Sequence, residues 1–179
     1  LIFCAILYAL FLSLTISSLV YIFSETISLF IAPNSNNNVI LLSSQFIKIL
    51  ALSIPFYILG GTLSFIETAY GYFSGIAIRP ILLNIFSIIG VCFSVYFKID
   101  IWLAVSILCS HILFLLLTFL KLRKIGKILP NKNIKINLVK EVFVEFIKNM
   151  YPLLGLPIIV QVSVISERII SSNIGVGVI

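Results

Sequence analysis

The sequence predicts an all-α, polytopic membrane helix bundle of about five transmembrane helices plus one amphipathic surface helix. Three observations predict it. Hydrophobic residues make up 61% of the 179 and charged residues only 10%, far from the mix of a soluble domain. Apolar runs of about 20 residues, the length that crosses a hydrocarbon core roughly 30 Å thick, follow one another with short links. Eight of the twelve Lys and Arg fall between Lys121 and Lys148, in a single polar interval between such runs.

The net charge of +6 does not point to nucleic acid. The basic interval lacks an aromatic-interleaved face or a binding motif, and it fits the positive-inside pattern of a cytoplasmic connection. Cys4, Cys92 and Cys109 lie in three different apolar runs without ligand spacing, which reads as buried thiols. The chain opens Leu-Ile-Phe-Cys and stops at Gly-Val-Gly-Val-Ile, as a fragment of a longer protein would. The first run is too long, and lacks the basic flank and cleavage site, for a signal peptide.

In order, Leu1 to Phe23 carries no charge and is a span whose Ser and Thr hydroxyls can return hydrogen bonds to backbone. Ser24 to Ala32 is short and weakly polar, suited to the interface. Pro33 to Asn38, PNSNNN, is a turn by composition. The second span is placed from Gln45 to Phe73, with Pro55, Gly60 and Gly61 inside it, so a bend or a close helix approach is expected near its middle. Glu67 stands near its end and is expected to pair with Arg79 across the short link, the other reading being a role in a lumen. Arg79 and Pro80 open the third span, Pro80 to Tyr96, with Pro80 at the first helical position and Asn84 as the polar residue of its early turns.

Lys98 to Asp100 is so short that the third and fourth spans must form a tight antiparallel pair. The fourth, Ile101 to Leu120, starts beside Trp102, an interfacial anchor. Its Cys109 and His111 are separated by about 200° on a helix and cannot share a metal, so His111 reads as a hydrogen-bonded core residue. After KLRKIGKILPNKNIK, the segment Asn137 to Asn149 repeats apolar residues at three and four spacing, as an amphipathic surface helix does.

The last run, Met150 to Ser172, holds Gln161 and the adjacent Glu167 and Arg168. A charged side chain near a bilayer centre costs roughly 2.5 to 3.5 kcal/mol on insertion scales, so the pair needs a reason. It either snorkels at the far interface or belongs to a polar cluster lining a transport pathway. The chain thus divides into three parts: residues 1–120 with four spans, the basic connector 121–149, and 150–179 with the fifth. Placing the connector in the cytoplasm also places the Arg79 link there and turns PNSNNN and the Lys98 to Asp100 link outward.

Three stretches resemble the lipid II flippase family (MurJ, also called MviN) of the multidrug, oligosaccharidyl-lipid and polysaccharide exporter superfamily. Leu50 to Ile89 is similar to that family's fourth helix, its aromatic link at Phe73 and the Pro-x-x-x-Asn-Ile opening of its fifth helix, here Pro80, Asn84 and Ile85. The basic connector with its amphipathic helix is the second stretch. Met150 to Gly177 is the third, with Pro152, Gln161, the Glu167 and Arg168 pair and a Gly shortly after. Tyr72 departs from the basic residue that often precedes the link's aromatic, and Ser171 from the usual Ala.

The resemblance implies helices three to seven of a two-bundle transporter in the bacterial cytoplasmic (inner) membrane. Such a protein moves a polyprenyl-pyrophosphate-linked saccharide, lipid II, from the inner to the outer leaflet by alternating access, driven by a coupling cation or the membrane potential. Pathway candidates are Glu167, Arg168, Gln161, Asn84, Glu67 and Arg79. No cofactor and no resident metal are implied, although Glu167 matches a position that serves a coupling cation in some members. Exporters of O-antigen repeats or drugs share the fold and are the alternative. A polyprenyl-phosphate transferase would need clustered carboxylates for Mg²⁺, whereas Glu25, Glu67, Asp100, Glu141, Glu145 and Glu167 are scattered, so no enzyme is expected.

Overall fold

The structure is a computed structural model that describes residues 2–31, 36–124, 162–164 and 166–167. The regular structure among them is helical: α1 (Ile2–Ile22), α2 (Ser24–Ile31), α3 (Asn37–Ala69), α4 (Ser74–Phe97) and α5 (Trp102–Lys124). Four of these, α1, α3, α4 and α5, are long and apolar enough to cross a membrane. The amphipathic helix expected over 137–149 and most of the fifth span lie outside the described residues.

α3 organises the group. It packs against α5 and α1 to similar extents and less against α2. α4 packs on α5 and touches α3 only sparsely, although a short link joins α4 to α3. With 33 residues, α3 is about 50 Å long, more than the hydrocarbon thickness. Its first turns, missing from the predicted Gln45 start, form because α2 packs beside them and Ser28 Oγ donates to the Ile40 carbonyl at 3.1 Å. The break between α1 and α2 is slight. Phe23 N–H bonds Leu19 O at 3.0 Å and Phe23 O accepts from Ile27 N–H at 2.9 Å, so the ladder runs across it.

Two further boundaries differ from the sequence expectation. Pro80 is not at the first position of its helix, because α4 begins six residues earlier at Ser74 and Pro80 sits inside it. A proline in the second turn removes only the donor to the Ile76 carbonyl, and the gain is that Ser74 and Gly75 dock on the end of α3. α5 continues past Leu120 to Lys124, so Lys121, Arg123 and Lys124 form its last turn rather than a loop. Cations there complement the helix dipole, and Leu122 is fully buried.

The tight α4–α5 pair is present as expected. Lys98 ends α4 at φ 54° and ψ 37°, a left-handed cap, and Ile99 N–H reaches back to Ser94 O at 3.2 Å. Phe93 and Phe97 lie against Trp102, each with ring centroids 5.8 Å from it, forming an aromatic group at that end. Gly90 lets α5 approach: an added Cβ would stand 2.9 Å from Ser106 Cβ and 3.1 Å from the Leu103 backbone.

Small hydroxyl residues fill the contacts between helices. Ser13, Ser44, Ser64, Ser110 and Thr118 are buried while many Leu, Ile and Phe side chains point outward. That inversion suits lipid, where apolar side chains gain nothing by hiding and close backbone approach supplies the packing. One bond repairs a defect. Pro55 has no N–H, so the Ala51 carbonyl loses its helical donor, and Ser17 Oγ from α1 donates to it at 2.7 Å in a buried contact. Ser17→Ala therefore costs about 1–3 kcal/mol, the penalty of a stranded buried carbonyl. Pro55→Ala restores the helical N–H and abolishes most of that cost, so strict additivity of the two changes in detergent unfolding would refute the repair.

Candidate functional site

The polar cluster forms where α3 ends, α4 begins and α5 ends. The α3 exit turn is closed by Gly71 at φ 83°, a left-handed position, with Tyr72 N–H donating to Glu67 O at 3.1 Å. This turn folds Ser74 and Gly75 back over the last turn of α3. Glu67 is fully buried there. Ser74 Oγ donates to Glu67 Oε1 at 2.6 Å, and Lys121 Nζ from α5 forms an ion pair with the same oxygen and contacts Ser74 Oγ. The other oxygen, Oε2, is buried beside Gly75 with no hydrogen-bond partner among the described residues.

Gly75 has to be glycine for this approach. A Cβ would stand 2.5 Å from Glu67 Oε2 and 2.7 Å from Ser64 Oγ. Lys121 is partly exposed and lies 5.3 Å from the Tyr72 ring centroid, so its stem crosses from the cluster to the surface. Ile78, Phe114, Leu117 and Thr118 line a small cleft that ends at Glu67, Ser74 and Lys121.

Glu67 does not pair with Arg79, contrary to the sequence expectation. Docking Ser74 and Gly75 on Glu67 carries Arg79 about one turn deeper along α4, past the reach of the carboxylate. Its guanidinium carbon instead lies 3.9 Å from the Tyr57 ring centroid on α3 and 5.7 Å from that of Phe114 on α5. His111 is also a packed residue: its Nδ1–H donates to Ile107 O at 2.7 Å and its ring lies 5.2 Å from Tyr57. Cys92 and Cys109, expected to be buried, are exposed, because no described helix covers them, and the Cys4 side chain lies outside the described residues.

Asn84 is exposed on α4 and stands apart from the cluster. Glu167 is exposed in a helical stretch, while Gln161 and Arg168 lie outside the described residues. Sequence reading missed Lys121 and Ser74. Their only signal was that a buried carboxylate at a span end needs a cation from some other span end on the same side. A second ion pair, Lys48 to Glu25 at 3.4 Å, is largely exposed and explains the one basic residue at the far end of α3.

Among the described residues no group of His, Cys, Asp and Glu could hold a metal ion. Four span-length helices, with the Glu67 charge met by Lys121 from another helix, define a polytopic membrane protein. The family profile described as lipid II flippase MurJ matches residues 2–179, and the chain belongs to this family. No curated protein and no solved structure matches it. The protein is therefore a lipid II flippase of peptidoglycan biosynthesis in the bacterial inner membrane, a transporter and not an enzyme, with lipid II and membrane lipids as partners.

Removing one partner of a buried pair leaves an uncompensated charge, which costs about 3–5 kcal/mol, whereas replacing both is close to neutral. Lys121→Met is therefore expected to be strongly destabilising and the Glu67→Gln, Lys121→Met double variant nearly wild-type. Unfolding in detergent checks this. If Lys121→Met alone has no effect, the ion pair is not what joins the three helix ends.

Proposed function

We propose that the chain moves lipid II from the inner to the outer leaflet by alternating access, with residues 1–120 in one bundle and 150–179 opening a second. The observation that carries this is the family match, which runs through both parts and the connector between them. The physical task is set by the cargo. A sugar-peptide-pyrophosphate headgroup loses hydration on entering hydrocarbon, and a polar passage between two bundles spares that loss while the lipid tail stays in the bilayer.

In this reading the connector 121–149 is cytoplasmic, and the end of the bundle holding Glu67, Ser74 and Lys121 faces the cytoplasm with it. The basic last turn of α5 supports that orientation. Gln161, Glu167 and Arg168 belong to the cargo or ion pathway on the opening helix of the second bundle. Glu167 is the ligand for a coupling cation, since a carboxylate on an exposed residue can hold a cation or accept a proton.

Depletion of the intact transporter should trap lipid II on the inner leaflet, read by protease or lectin access to the precursor on spheroplasts. Glu167→Gln should abolish the ion dependence of transport and reduce its rate. Unchanged ion dependence removes Glu167 from the coupling site. Single cysteines placed from 121 to 149 should react with membrane-permeant maleimide and resist an impermeant one in whole cells, and labelling by both would reverse the orientation.

A further inference from the structure

Lys98, Arg123 and Lys124 stand exposed at helix ends, whereas Arg79 is a partly buried described cation inside a span whose charge no described acidic side chain meets. Of the described acids, Glu25 is on Lys48, Glu67 is on Lys121 and Ser74, Asp100 lies near Ser94 in the α4–α5 link, and Glu167 is exposed. Arg79 itself is half-buried, and its Nη2 is fully buried without an acceptor. A guanidinium nitrogen left without an acceptor inside an apolar span carries a desolvation cost that stacking on a ring does not repair. Its surroundings nonetheless fix it. Tyr57 lies against one face, Phe114 is close by, and the guanidinium crosses Gly61, where a Cβ would stand 3.7 Å from Nη1.

We propose that Arg79 is a binding site for the phosphate oxyanion of a lipid headgroup, reached where α4 lies loosely on α3. A planar guanidinium held by aromatic stacking presents a fork of N–H groups that matches a phosphate and not a single carbonyl. The sparse packing of α4 on α3 gives the side chain room to swing toward an arriving oxyanion, which then satisfies Nη2. Two sources share this chemistry: the pyrophosphate of the cargo and the phosphate of a membrane phospholipid. Assignment to the cargo rests on the flippase reading, whereas the phosphate chemistry does not.

The test uses the full-length transporter in nanodiscs, either of phosphatidylcholine alone or with added phosphatidylglycerol, and measures binding of labelled lipid II with inorganic pyrophosphate as competitor. Arg79→Gln should weaken lipid II binding in phosphatidylcholine by roughly tenfold to a hundredfold, the value of lost charge-assisted hydrogen bonds. Arg79→Lys, which keeps the charge without the fork, should fall between. If instead only the response to phosphatidylglycerol disappears, the phosphate belongs to a phospholipid. Equal binding by wild type and Arg79→Gln in both membranes overturns the site, as does an equal loss in both variants accompanied by an equal drop in melting temperature. Failure of the wild type to bind lipid II at all, with phosphatidylglycerol dependence intact, counts against the cargo and not against the phosphate site.

Discussion

The described structure depends on one rule of the bilayer: ionic and backbone polar groups that leave water must find partners inside the protein. Glu67 is the strongest instance of that rule. Its carboxylate is fully buried, and its Oε1 takes a lysine from α5 and a serine from the start of α4, while Oε2 lies close to Gly75 without a hydrogen-bond partner among the described residues. Three helix ends are pinned to one point as a result. A buried pair of this kind adds little net stability over an apolar substitute of the same shape, so its contribution is to select one arrangement of the helices over others.

The same rule governs the backbone. Pro55 would leave a carbonyl open to lipid, and α1 supplies Ser17 to close it. Elsewhere Thr62, Thr68 and Thr118 bond carbonyls four residues back in their own helices, so these three hydroxyls enter apolar spans with their donors satisfied. Glycine and serine then let helix axes approach, as Gly60 does beneath the Phe114 ring and Gly90 beside Ser106. Dispersion between closely packed helices replaces the hydrophobic drive that would hold a soluble core together.

These features bear on transport because a carrier that alternates between two openings needs parts that move as units. The ion cluster and the α4–α5 turn join α3, α4 and α5 at opposite ends, which favours rigid motion of the three together. Between the well-packed ends, α4 lies loosely against α3 and exposes most of its surface. Arg79 sits in that looser zone, so its side chain is the charged group with both a fixed stack and room to move.

The sequence by itself determined the membrane class, the first four spans, the α4–α5 pair with Trp102 at its turn, the packed character of His111 and the family. Each rests on composition, run length or a local motif, which act within a few helical turns. It also singled out Glu67 and Arg79 as charges needing an account. Only the tertiary structure decided who answers them. Lys121 is remote from Glu67 in sequence and reaches it because α5 returns to the same membrane face, while Pro80 became an internal residue because α4 starts early to cover the carboxylate. Run length locates a helix in the bilayer, but the rotation and depth at which helices meet are fixed by contacts that no single segment encodes.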